Sequence, residues 1–163
     1  VNPNVPYILP DGTHARDIHG KEMTMSLPDS DSGILLRGQG GDQVNIWCWP
    51  AGSGEAYGYR MDEKMPTEVR AGVTPRTQAD KPVGEWNHFE ITMRGDRETV
   101  VLNGKKVIEN AQLPGVPAEG PVGLQHHGEK RDGKWAGPPA SCSSRTSMLR
   151  NWNSRVAGRS TES

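Results

Sequence analysis

The sequence predicts an all-β, antiparallel fold, and three observations lead there. Glycine and proline number 20 and 13 in 163 residues, while the hydrophobic share is only 33%. That mix suits many short strands joined by turns better than a helical bundle. Period-two alternation recurs in "QVNIWCW" and "NHFEITM", the spacing of a strand with two unlike faces. Finally, Asn103-Gly104 sits between β-branched runs in "ETVVLNGKKVIEN", the favoured two-residue type I′ hairpin turn.

Up to about Ser32 the chain is turn-rich, punctuated by "LPDG", "DIHG" and "LPDSDSG". "GILLRG" reads as a short strand ending in Arg37. In "QVNIWCW", Val44, Ile46 and Cys48 share one face, and Gln43, Asn45, Trp47 and Trp49 share the other. The first is an ordinary core face. The second joins amides, which match pairs of hydroxyls, to indoles, which stack on the C–H side of a sugar ring. A plainer assignment packs one Trp under a loop and leaves the other at a sheet edge. "PAGSGEAYGYRMDEKMP" reads as a glycine-rich loop carrying Tyr57, Tyr59 and Arg60, with Glu55 as a solvated carboxylate or an acid. Its Gly52 and Gly54 are no phosphate cradle, because no helix-forming segment is expected after them.

"TEVRAGVTPRTQADKPVGEW" reads as a further strand and an irregular connection, broken by Pro75 and Pro82, with Trp86 packing inward. Phe89, Ile91 and Met93 then alternate inward. "PGVPAEGPVGLQHHG" returns as a strand, with Val122 and Leu124 toward the core and His126 at the strand end. Gln125 and His127 share the opposite, polar face, so the adjacent histidines are a poor chelating pair. From residue 141 the chain turns Ser- and Arg-rich and loses its alternation, as a disordered tail would. One sandwich domain is therefore expected over residues 1–140, with a tail over 141–163.

Charge excludes some partners. Lys+Arg 19 against Asp+Glu 20 leaves a net charge of -1, with no basic field for nucleic acid. No apolar run approaches the roughly 18 residues of a membrane span, and no signal-peptide core is visible. The chain opens on "VNPNVPYILPDG", without Met, as an interior fragment or processed start would. Cys48 and Cys142 match no metal or redox spacing and read as lone buried thiols, with a pair in an oxidising compartment as the alternative.

"DSGILLR", "QVNIWCWPAGSGEAY" and the run from "GEWNHFEITM" to "LQHHG" together resemble the 3-keto-disaccharide hydrolase domain family. The resemblance covers about Ser32 to Gly128, and its most specific part is the ordered series W-N, L-N-G and L-Q-x-H-G. It implies a concanavalin A-like antiparallel jelly-roll β-sandwich with a concave carbohydrate-facing surface. Departures are evident. Asp31 stands in the family's N-S-G-I motif, and Gln43-Val44-Asn45-Ile46 stands for E-V-Q-I, with Cys48 near an expected Asp. Part of the N-terminal strands and the last, V-x-F-R-N-I-like strand are missing, with only Arg150-Asn151 in its place. The change after "WAGPPA" fits a reading-frame slip, which translating the gene in its other frames would test.

The resemblance implies a hydrolase or lyase acting on 3-keto-glycosides, found in the periplasm or outside the cell. A ketone at C3 acidifies the C2 proton, so one base and oxyanion stabilisation suffice, without flanking paired carboxylates. His127 is then the candidate base, with Gln125 and Asn45 orienting a hydroxyl or the keto oxygen. Arg37, Tyr59 and Arg60 would stabilise the enediolate, and Trp47 or Trp49, with Tyr57 nearby, would form the stacking surface. A divalent metal with His127 as one ligand is the other electrophile to consider. A non-catalytic carbohydrate-binding module, or an inactive truncated member, is the competing function on the same fold.

Overall fold

A computed structural model describes residues 2–27, 31–38, 42–125, 129–132 and 134–136. His126, His127, Cys142 and the whole 141–163 tail lie outside the described residues.

The N-terminal strands β1 (Asn2–Pro6) and β2 (Thr24–Leu27) pair antiparallel. β3 (Asp31–Leu36) and β4 (Asp42–Trp47) then pair in unbroken register from Asp31 opposite Trp47 to Leu36 opposite Asp42. Two short helices follow, α1 (Tyr57–Met61) and α2 (Thr67–Gly72). β5 (Phe89–Arg94), β6 (Arg97–Leu102) and β7 (Lys105–Gln112) form a meander, and β8 (Gly123–Leu124) returns to pair with β3. A last pair, β9 (Glu129–Arg131) and β10 (Lys134–Ala136), closes the described chain.

The architecture is an all-β antiparallel sandwich, one sheet ordered β4-β3-β8 and the other β5-β6-β7. Alternation decides what lies between them. Val44 from the first sheet meets Val100, Leu102, Val107 and Ile108 from the second, with Ile34, Leu36, Phe89, Ile91 and Met93 packed around them. Burying each such side chain stabilises the fold by roughly 1.5–3 kcal/mol. The β6–β7 turn has Asn103 at φ 51 and Gly104 at φ 78, both positive as a type I′ turn requires. Among the described residues no helix is long and apolar enough to cross a membrane.

Five local expectations are corrected. The segment after Gly54 is helical, not a loop, since Tyr57–Met61 makes one turn that buries Tyr59 and Arg60. "TEVRAG" is a helix rather than a strand. Pro66 precedes it with its φ fixed at -53, and Val69 and Val73 bury at helical spacing against the core. Trp86 is about half exposed, and Val122 and Leu124 are exposed although they share the strand parity of core residues. Cys48 is free and only partly buried.

Candidate functional site

Antiparallel partners share a face of the sheet, so the β3–β4 register puts Gly33 beside Asn45. From the β8 side the Gln125 amide donates to the Gly33 carbonyl at 2.8 Å. Beyond β4, residues 53–56 fold back as an extra neighbour. Asn45 N donates to the Glu55 carbonyl at 2.9 Å, and Gly54 N to the Asn45 carbonyl at 2.8 Å. One row across the sheet therefore reads Glu55, Asn45, Gly33, Gln125.

Gln43 ties that row together. Its Nε2 donates to Asn45 Oδ1 at 3.0 Å and to Gln125 Oε1 at 2.8 Å, bridging β4 to β8 across β3. Gly33 makes this crossing feasible. A Cβ there would lie 2.6 Å from Gln43 Nε2 and 2.7 Å from its Cγ, well inside contact distance. Ser32 adds a second clamp on β8 by donating from Oγ to the Gln125 carbonyl at 2.9 Å. Asn45 Nδ2 is buried with no hydrogen-bond partner among the described residues, a donor left for something else to meet.

The indoles stand at the end of the same face. Trp47 and Trp49 stack with centroids 3.9 Å apart and planes within 10°. Tyr57 meets Trp47 edge-on at 6.1 Å. Trp47 is only 4% exposed, and its Nε1 donates to the Gly52 carbonyl at 2.8 Å. Trp49 is the partly exposed member of the pair. Arg60 lies with its Cζ 5.6 Å from the Trp47 ring centroid, and its Nε donates to Glu55 Oε2 in an ion pair buried on both sides.

Arg37 and Tyr59 are held elsewhere. Arg37 Nη1 donates to the carbonyls of Gly95 and Pro117, each at 2.7 Å. Tyr59 joins the core, where burial and the nearby Asp42 and Glu98 carboxyls raise its pKa. Asp42 shares the core parity of Val44, and Glu98 that of Val100 and Leu102. Both are buried inside the sandwich. Burial first, then the nearby Asp42 carboxyl, push Glu98 up to about 10, against the pull of Arg37. Burial likewise raises Asp42. Burial and the nearness of the two carboxyls thus both favour the protonated form of Glu98.

The structure thus brings Asn45, Trp47, Trp49, Tyr57, Arg60 and Gln125 to one region, and leaves Arg37 and Tyr59 apart from it. Sequence reading missed the bridging role of Gln43 and the burial of Glu55. It also missed the Asp42–Glu98 pair, which strand parity in "DQVNIW" and "RETVVL" would have exposed. Among the described residues no three His, Cys, Asp or Glu side chains gather as a metal-binding group; His127 lies outside them.

Residues 18–135 match the family described as the 3-keto-alpha-glucoside-1,2-lyase-like domain. The chain belongs to that family. No curated protein and no solved structure matches it. The matched span of this lyase-like domain holds the whole amide and indole face and both members of the interior carboxyl pair. Among the described strands, β1 alone lies wholly outside it.

Proposed function

We propose that this lyase-like domain cleaves 3-keto-glycosides by elimination across C1 and C2. The observation that supports this reading is the bridged amide row beside the Trp47–Trp49 stack, in a chain of this family. Amides paired with an indole surface suit a neutral, hydroxyl-rich ring.

In the proposed reaction a base removes the C2 proton of the 3-keto-sugar, and the electron pair moves into an enediolate with its charge on the C3 oxygen. The C3 carbonyl then re-forms, C1=C2 closes, and the C1–O bond breaks. The departing oxygen takes a proton and leaves as the free alcohol. Addition of water across C1=C2 gives the 3-keto-monosaccharide. His127, two residues beyond Gln125 in the sequence, is the proposed base. Gln125 and Asn45 orient the keto oxygen, and the unmatched Asn45 Nδ2 is the donor available to the growing oxyanion. Trp49 supplies the stacking surface, Trp47 backs it and Tyr57 borders it.

A non-catalytic carbohydrate-binding module is the second reading. It is favoured by one observation: Glu55, the carboxylate of the amide row, is ion-paired to Arg60 and is no free base. Incubating the protein with a 3-keto-disaccharide and with its unoxidised parent, with and without a chelator, separates the two. Monosaccharide released from the keto form alone supports the elimination, and its loss with chelator would add a metal to the scheme. Tight binding without release from any linkage, metal supplied, leaves the binding module. His127→Ala should abolish turnover while sparing most sugar affinity.

A further inference from the structure

The buried Glu55–Arg60 pair calls for an explanation beyond stability. Taking two charges out of water costs several kcal/mol per ion, and a hydrophobic pair of equal volume often serves a fold as well or better. Both side chains are fully buried. Hydrogen bonding accounts for the guanidinium only at Nε, which donates to Glu55, while Nη1 and Nη2 find no partner among the described residues. What the guanidinium does meet is the Trp47 ring, with Cζ 5.6 Å from the centroid, within the range at which a planar cation is held by an indole face. Glu55 in turn is fixed to the sheet, since its carbonyl accepts from Asn45 N on β4.

We infer that Glu55 is a positioning residue: it holds Arg60 against Trp47, and so sets the angle at which the stacked Trp49 presents its face to a sugar ring. The relay runs from the β4 backbone through Glu55, Arg60 and Trp47 to the partly exposed indole. Its sugar-binding consequence rests on the function proposed above; its geometric consequence does not.

The test separates the two. Glu55→Gln alone strands a buried cation, so the main variant is E55L/R60M, which removes both charges and keeps the volume. Thermal unfolding reports the fold, the exciton couplet of the indole pair in circular dichroism reports the stack, and titration with a 3-keto-disaccharide reports binding. The expected result is a folded variant with its couplet reduced by half or more and affinity weakened about fivefold. A folded variant with an unchanged couplet would overturn the inference and leave a purely structural ion pair. If the double variant does not fold, Arg60→Lys carries the same test, since it keeps the charge and loses the planar fork: a reduced couplet supports the relay and an unchanged one refutes it. A reduced couplet in a variant of a parent that binds no sugar would keep the relay and discard the sugar reading.

Discussion

Replacing Glu98 by Gln should remove most of the fall in this domain's stability with rising pH across the neutral range. Glu98 has its folded pKa raised from 4.5 to about 10, so the folded state binds more protons than the unfolded chain between those values. Its contribution is complete below the unfolded pKa and is lost as pH rises toward the folded one. Each pH unit in that window removes up to about 1.4 kcal/mol. From pH 5 to pH 8 the wild-type chain should therefore lose about 4 kcal/mol, a large share of the roughly 5–15 kcal/mol typical of a domain. Asp42, also raised, acts with the same sign. The substituted glutamine is close in shape to the protonated acid and carries no proton to lose. Urea unfolding followed by Trp fluorescence at several pH values measures the effect. The two proteins should agree within about 1 kcal/mol at pH 5 and diverge by several at pH 8. A wild-type stability that stays level or rises from pH 5 to pH 8, or a variant with the same slope, would show that the Glu98 carboxyl is not raised in the folded state.

Other expectations follow from single positions. Gly33→Ala should cut the Gln43 bridge to Gln125, because its Cβ would overlap the Gln43 amide; sugar affinity measured by calorimetry should fall, with about 1–3 kcal/mol of stability lost. Trp49→Ala should weaken sugar binding about five- to tenfold while leaving the unfolding midpoint nearly unchanged, and an equal loss of both would mean that Trp49 is a core residue. Gly104→Ala places a side chain at φ 78 and should cost about 1–2 kcal/mol in thermal unfolding with no effect on sugar binding.

The strands that alternate cleanly were legible in the sequence because burial on one face enforces a period of two. β5 and β6 follow that rule, and the Asn103-Gly104 turn needs no tertiary context. α2 escaped because the strand reading of "TEVRAG" gave weight to breakers downstream. The deciding signal was Val69 and Val73 four residues apart, which only matters once a core exists for both to reach. Strand parity likewise placed Gln43, Asn45 and Trp47 on one face, yet it could not tell a solvated face from a covered one. Asn45 and Trp47 are buried because residues 53–56 double back along β4. That return path depends on Gly52 and Gly54 at φ 83 and 110, and it also turns Glu55 from a loop carboxylate into a buried one. Val122 and Leu124 show the reverse case: correct parity on a two-residue strand whose outward flank gives them little cover.

The two borders of the amide row differ in how they are fastened, and amide hydrogen exchange should see it. On one side, reciprocal hydrogen bonds join Asn45 to Gly54 and Glu55, with a further bridge between Val44 and Ala56. On the other, among the described residues β8 pairs with β3 at Ile34–Leu124 and Leu35–Gly123, with the Ser32 and Gly33 clamps on Gln125. Protection should therefore be strong at Asn45 and Gly54, whose amides are each bonded across the β4 border. The row's β4 border is thus doubly bonded at Asn45, while Gln125 is held through its own backbone N and carbonyl.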